Sequence, residues 1–310
     1  MPEYSNVPPE PTDSLTQRLR GGRRSRLNEK ILQEKEQEAR VADTVAAVRR
    51  KRAEGLLTGF FEQAGGLFAF GGRFFTRLFR RPFEGGELVK QMDEVGAKSL
   101  TLTGVVGFSI GIVLAMQSRG TLARFGAESF LPSMLALSLI KEIGPVLTSL
   151  VLAGRLGAGM GAELGSMRVT EQIDALEVAA LKPFDYLVVT RVLACVIMFP
   201  VMTMITDLVG LVGGYLESVL ADGMDWRVFI ATAFDSMRFV DVIVDTMKTS
   251  VFGFIVGIVS CYLGYTVRGG TREVGQAAMQ AVVLSSLLIL VADVVIVRMS
   301  LLFFGDVSGG

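Results

Sequence analysis

The sequence predicts an all-α integral membrane protein, with an N-terminal interfacial amphipathic helix followed by five transmembrane helices. Half of the 310 residues are hydrophobic, and the mean hydropathy of +0.48 is high for a soluble domain. Five apolar stretches are each near or above the roughly 20 residues that cross about 30 Å of hydrocarbon. A membrane protein is therefore the first expectation.

Residues 1–58 are predicted to form a charged, partly disordered, cytoplasmic N-terminal extension. Pro, Ser, Gly and Arg dominate residues 1–25, which hold too little apolar surface to order themselves. Residues 27–52 combine good helix formers with interleaved charge, which favours a solvated helix, either near acidic lipid or without a specific partner. The first 55 residues lack the apolar core of a secretory signal, so we expect the N-terminus in the cytoplasm.

Residues 66–83 have the pattern of a basic, aromatic, amphipathic helix. Leu67, Phe70, Phe74 and Leu78 line one face at helical spacing. The opposite face carries the basic residues Arg73, Arg77, Arg80 and Arg81. Such a helix lies in the membrane interface with its arginines toward anionic headgroups, although a soluble helix covering a partner has the same pattern.

The remaining chain, 59–310, is predicted to be a permease-like domain whose orientation follows from its charges. The predicted spans are about 99–118, 130–153, 187–216, 242–267 and 277–304. Residues 1–98 carry 18 of the 31 Lys and Arg residues, which places this end inside. Segments 154–186 and 268–275 then return to the cytoplasm, the acidic segment 217–241 lies outside, and the C-terminus ends in the periplasm.

The composition argues against an enzyme. The chain has no histidine, the usual general base and the commonest metal ligand, so no metal site is expected. Cys195 and Cys261 lie in apolar runs, where a thiol is usually a buried hydrophobe. No G-x-x-x-x-G-K-[ST] loop, CxxC or G-x-S-x-G pattern occurs. We therefore expect no cofactor on this chain and no nucleic-acid partner.

Ionisable residues at membrane depth are the first candidates for function, because each costs about 2.5 to 3.5 kcal/mol to insert. Lys141 and Glu142 fall inside the second predicted span, and Lys248 falls inside the fourth. They could neutralise one another, or line a wet cavity that receives a polar headgroup. Asp207 and Asp293 are also intramembrane, and Arg298 follows Asp293 closely enough to pair with it.

The segment 154–186 is the second candidate. The run TEQIDALEV predicts a short helix that is capped by Thr170 and carries acidic residues in its first turn. A short helix in a cytoplasmic turn can dock into a partner, or can be an ordinary connector. The glycines at 157, 161 and 165 recur every four residues, which permits close helix packing within one subunit or in a dimer.

Three sequence patterns give the chain a family resemblance. These are ALSLIKEIGPVL, LAGRLGAGMGAELGSMRVTEQIDALEVAALKPFDY and GYTVRGGTREVGQAAMQ, which occur together and in order. The chain resembles the MlaE/YrbE permease family over about residues 60–305. That resemblance implies an interfacial helix plus five spans, the number reached independently above.

The resemblance also implies function and partners. It implies a homodimeric permease of an ABC transporter in the bacterial inner membrane, moving phospholipid or related lipid between that membrane and the outer envelope. ATP and Mg would bind a separate cytoplasmic ATPase subunit, and an MCE-domain protein would carry lipid in the periplasm. The residues implied to couple to the ATPase are Arg168, Glu171, Gln172, Asp174 and Glu177. Lys141, Glu142 and Lys248 match charged positions near the lipid path.

Two rival functions use the same features differently. An ion-coupled secondary transporter would use Glu142, Asp207 or Asp293 as its coupling site. Five spans make an unlikely pair of inverted repeats, and no internal repeat is visible. A passive scaffold of an envelope complex would not need charges at membrane depth.

Overall fold

A computed structural model describes residues 62–78, 85–235, 237 and 239–304. The chain divides into two compact units, Met1–Gly66 and Leu67–Gly310. Within the first unit the structure describes only 62–66, which are helical. The predicted extension 1–58, together with Arg80 and Arg81, therefore lies outside the described residues.

The described part of the chain consists of helices and short connections and contains no strand. The helices are α1 (62–78), α2 (Gly85–Val95), α3 (Leu100–Ala123), α4 (Leu131–Ser138), α5 (Gly144–Leu152), α6 (Ala158–Val169), α7 (Gln172–Val178), α8 (Thr190–Asp222), α9 (Trp226–Asp235), α10 (Phe239–Tyr265) and α11 (Thr271–Phe304). Three π-helical turns, Leu139–Ile143, Ala153–Gly157 and Phe184–Val189, join α4 to α5, α5 to α6 and the start of α8.

Five helical stretches are long and apolar enough to cross a membrane. They are Gly85–Ala123, Glu128–Val169, Phe184–Asp222, Val242–Tyr265 and Thr271–Ser300. The prediction of an all-α membrane protein with five spans is thereby confirmed. Four of the stretches are longer than the apolar runs in the sequence, because polar residues at their ends continue the same helices, whereas the fourth ends two residues earlier, at Tyr265.

The second stretch differs most from its predicted bounds. The apolar run ends near Ala153, and the sequence predicted the cytoplasmic segment 154–186 directly after it. The structure instead continues the helix to Val169. The continued helix packs closely on α11: an added Cβ at Gly161 would meet Ala278 and Ala281, and one at Gly157 would make ordinary contact with Val282.

The other repeated glycines make similar contacts. Gly107 and Gly111 of α3 lie against the backbone of Thr206 and Gly210 in α8. Gly253 of α10 lies equally close to α8. Of the two readings left open by the sequence, the structure shows close packing within one subunit, where small residues let helices approach in the absence of a hydrophobic driving force.

Partly exposed charges connect the first stretch to the second. Arg155, in the π-helical turn before α6, donates a hydrogen bond to the carbonyl of Glu94 at 2.9 Å. Its other terminal nitrogen lies 3.2 Å from the Glu94 carboxylate, and the Ser99 hydroxyl accepts a further bond. Arg155 thus holds the junction between α2 and α3.

Candidate functional site

A buried lysine lies at the centre of the bundle. Lys248 of α10 has a side chain only 2% exposed, and its Nζ lies 2.9 Å from Glu142 Oε2 and 3.3 Å from Asp293 Oδ1. The same Nζ donates a hydrogen bond to the Lys141 carbonyl at 2.8 Å. The structure therefore brings together all three residues predicted to lie near the lipid path.

The backbone around Glu142 explains why the Lys141 carbonyl is available. In an α-helix this carbonyl would accept a bond from the residue four positions on, which is Pro145 and has no N–H. The preceding turn is π-helical, with the Gly144 N–H bonded to the Leu139 carbonyl. The Lys248 ammonium supplies the donor that Pro145 lacks, so the K-E-I-G-P sequence builds part of the site.

The site has more negative than positive groups. Asp207 of α8 is 5% exposed, and its carboxylate lies directly against Gly144, where any Cβ would collide with it. Its Oδ1 is buried without a hydrogen-bond partner among the described residues. Charged side chains from four of the five stretches thus meet in the interior, where unpaired charge is costly.

Glu142 is the accessible member of this cluster. Its side chain is 49% exposed, against 10% for Asp293. One carboxylate oxygen contacts Lys248, and about half of the side-chain surface stays exposed. Sequence reasoning paired Asp293 with Arg298, which was wrong: Asp293 points to α10, and Arg298 is exposed on α11.

The predicted coupling residues surround α7. Arg168, at the end of α6, pairs with Asp174 at 2.5 Å between Nη1 and Oδ1. Ile173 is fully buried and fastens α7 to a core that includes Leu164 and Phe184. On the outer side, Glu171, Gln172 and Glu177 are exposed, and so is Val178.

The predicted threonine cap of α7 is wrong. Thr170 ends the preceding helix, and its hydroxyl donates to the Ser166 carbonyl at 2.8 Å. Glu171 precedes α7 in a left-handed conformation with φ 59° and makes no side-chain cap. A tight reversal between α6 and α7 requires this conformation, and the ion pair of Arg168 with Asp174 spans the reversal.

Two of the predicted interfacial arginines contact protein. The Arg73 guanidinium lies over the Phe184 ring, 4.4 Å from its centroid, and Arg77 lies 3.3 Å from Asp185 Oδ2. Arg73 is nevertheless exposed, and the role of these arginines at the membrane interface stays a prediction. Phe70 and Phe74 are buried as predicted.

One buried arginine was missed by sequence reasoning. Arg191 of α8 is 3% exposed, and its Nη2 lies 2.7 Å from Glu163 Oε1. Its Nη1 donates to the Leu187 carbonyl at 2.9 Å. The available signal was an arginine inside an apolar run, R-V-L-A-C-V, which is costly unless it is paired.

These features define a class: a multi-pass membrane permease with paired charges between its spans and no phosphate-binding loop of its own. The family model described as Permease MlaE matches residues 88–299. The chain belongs to this family of permeases, as its motifs indicated.

Individual relatives support the same assignment. A Rickettsia bellii protein named "Probable ABC transporter permease protein" is 40% identical over 224 residues, which is 72% of this chain and 86% of the relative. The Haemophilus influenzae "Intermembrane phospholipid transport system permease protein MlaE" is 35% identical over 210 residues, 67% of this chain and 80% of the relative. The chloroplastic Arabidopsis thaliana protein TRIGALACTOSYLDIACYLGLYCEROL 1 is 32% identical over 225 residues, 73% of this chain and 64% of the relative.

Family membership selects among the functions considered above. It identifies the chain as a permease subunit of an ABC transporter, confirming the prediction of a transport permease. It decides against an ion-coupled secondary transporter and against a passive scaffold.

Proposed function

We propose that this chain moves phospholipid or a related lipid between a bacterial inner membrane and the outer envelope, driven by ATP hydrolysis on a separate subunit. The observation that carries the proposal is the Lys248, Glu142 and Asp293 cluster in the membrane interior. Its half-exposed carboxylate offers a polar contact within an otherwise apolar bundle. The name of the Haemophilus relative supports phospholipid as the cargo.

The ATPase subunit would bind at α7. Its exposed face combines the acidic groups Glu171 and Glu177 with the apolar Val178, while Ile173 anchors the other face in the core. A short, firmly seated helix with an unoccupied outer surface suits the groove of a cytoplasmic ABC ATPase, which would hold ATP and Mg. Movement of the ATPase would then reach α6 through the Arg168–Asp174 pair.

The remaining assembly follows the family pattern. We propose a homodimer, with α1 along the cytoplasmic membrane surface, the N-terminus in the cytoplasm and the C-terminus in the periplasm. An MCE-domain protein in the periplasm would receive or deliver the lipid. The exposed phenylalanines Phe68 and Phe75 of α1 support contact with lipid, because aromatic side chains insert at that depth.

Transport needs a lipid affinity that differs between two states of the permease. Lys248 is held in this structure by Glu142, Asp293 and the Lys141 carbonyl. A lipid headgroup that contacts Glu142 in one state and loses this contact in the other would be bound and released in turn. In this scheme Lys141, Glu142 and Lys248 act as gating residues of the lipid path.

The deciding experiment uses the complex that co-purifies with this chain, reconstituted in phospholipid nanodiscs. Lipid-stimulated ATP hydrolysis is compared between wild type, Glu171→Ala/Gln172→Ala and Glu142→Gln. We expect the first variant to lose stimulation as the ATPase detaches, and the second to remain assembled with altered lipid handling. Absence of any co-purifying ATPase, with no ATP-dependent transfer in wild type, would refute the proposal.

A further inference from the structure

Three consecutive residues contact both of the preceding helices α1 and α2. Phe184, Asp185 and Tyr186 follow α7 and open the π-helical turn at the start of the third stretch. Each of the three side chains touches a different group. The mechanism proposed above uses none of these contacts.

Phe184 contacts α1 through an aromatic ring and a cationic side chain. It is buried, and the Phe70 ring meets it edge-on with centroids 5.0 Å apart. The Arg73 guanidinium covers its face at 4.4 Å from the centroid. Rings prefer this edge-to-face arrangement, and a cation over the face is attracted by the ring quadrupole.

The next two residues add polar contacts. Asp185 Oδ2 lies 3.3 Å from Arg77 Nη1 on α1, one helical turn beyond Arg73. The Tyr186 hydroxyl donates a hydrogen bond to Glu87 Oε2 on α2, at 3.0 Å. Two N-terminal helices are therefore attached to one short stretch of backbone.

Backbone hydrogen bonds stabilise both ends of the short connection between α7 and that stretch. The Leu181 N–H bonds the Leu176 carbonyl at 3.1 Å, and the Asp185 and Tyr186 N–H groups bond the Lys182 carbonyl at 3.0 and 3.2 Å. Ile173 of α7 and Phe184 lie in the same buried core. We therefore expect a displacement of α7 to move residues 184–186 as well.

We propose that Phe184, Asp185 and Tyr186 are positioning residues that carry movement of α7 to α1 and α2, so that the two N-terminal helices shift with each cycle of the transporter. This inference rests on the proposed function, since it gives α7 its driving partner. Partly exposed ion pairs contribute little to stability. The Arg77–Asp185 pair is therefore better suited to positioning α1 than to stabilising the fold.

The test breaks and restores one contact. Arg77→Asp, Asp185→Arg and the double variant with exchanged charges are compared in the co-purifying complex, in vesicles of phosphatidylethanolamine and phosphatidylglycerol. Phospholipid transferred and ATP hydrolysed are measured together on assembled complex. We expect about fivefold fewer lipids per ATP in each single variant, and recovery in the double variant.

A control and a milder variant make the test decisive. Thr76→Ala alters α1 beside Arg77 but removes only a hydrogen bond to Arg73 within the same helix, so its ratio should equal that of wild type. Tyr186→Phe, which deletes only the hydroxyl that reaches Glu87, should lower the ratio even if the charged variants assemble poorly.

The outcomes separate the two proposals. If wild type shows ATP-dependent transfer but the ratio is unchanged in assembled Arg77→Asp and Tyr186→Phe, the positioning role is overturned and the proposed function stands. If hydrolysis and transfer fall in equal proportion, these contacts are structural only, which also overturns it. Wild type without ATP-dependent transfer would instead refute the proposed function itself.

Discussion

Lys248 is surrounded by oxygen atoms from two other stretches of the chain, at 2.8 to 3.3 Å. Removing a charged partner from a buried pair leaves the other charge without compensation, which costs more than the pair contributes when intact. Because three carboxyl groups, those of Glu142, Asp207 and Asp293, lie in this cluster, we expect loss of the lysine to lower the stability of the protein most.

Lys248→Met should therefore destabilise the protein by about 3 to 5 kcal/mol, the range for breaking a buried ion pair. The reason is that Glu142 and Asp293 would face each other without a cation. Thermal unfolding in detergent measures the effect. Arg298→Met also removes one positive charge, but from an exposed position on α11, and should change the midpoint little; an equal loss in both variants would contradict this account.

At the scale of helices, the sequence predicted where apolar stretches lie but not how they face one another. Length and composition alone placed five spans, because the hydrocarbon thickness fixes the number of residues required. The partner of Asp293 depends on the rotation of α11 against α10, which no local pattern encodes. Likewise the glycines after Ala153 predicted close helix packing but not their packing partners, Ala278 and Val282, which are more than 100 residues away along the chain.

The glycine contact between α6 and α11 gives a prediction at this scale. Gly161→Leu should destabilise the bundle by about 1 to 3 kcal/mol, because the side chain would be forced into Ala278 and Ala281. Gly159→Leu is the matched control, since an added Cβ there meets nothing within 4 Å. The unfolding midpoints of the two variants should differ clearly, and similar midpoints would refute the contact.

Helix α7 gives a second prediction. Ile173→Ala removes the one fully buried side chain of α7 and should cost about 2 to 5 kcal/mol locally, loosening the helix. Val178→Ala, at a position 89% exposed, should leave α7 in place. Amide hydrogen exchange over residues 172–178 reports the difference, and equal protection in both variants would show that Ile173 does not hold α7 down.

At the scale of the whole molecule, charge is distributed unevenly along the chain. Arg119 of α3 lies 3.6 Å from Glu217 of α8 and also pairs with Asp222, so carboxylates outnumber arginines there. Residues 1–98 carry 18 Lys and Arg residues against 14 Asp and Glu residues. The positive-inside rule predicts the orientation in the membrane from this asymmetry.

The orientation can be tested with single cysteines. Cys195 and Cys261 are fully buried, so they should give little background labelling. A membrane-impermeant maleimide should label Asp225→Cys in spheroplasts, whose periplasmic face is open, and should label Glu177→Cys only after permeabilisation. The reverse pattern would invert the proposed topology and place α7 on the wrong side for a cytoplasmic ATPase.

The close seat of α11 on α6 restricts how this permease can move. At Gly161 the two helices are so close that an added Cβ would lie 3.1 Å from the Ala278 backbone. Sliding one helix along the other would bring larger side chains into this contact. We expect these two helices to travel as one rigid body, with the flexing of each transport cycle confined to their boundaries with α3 and the N-terminal helices.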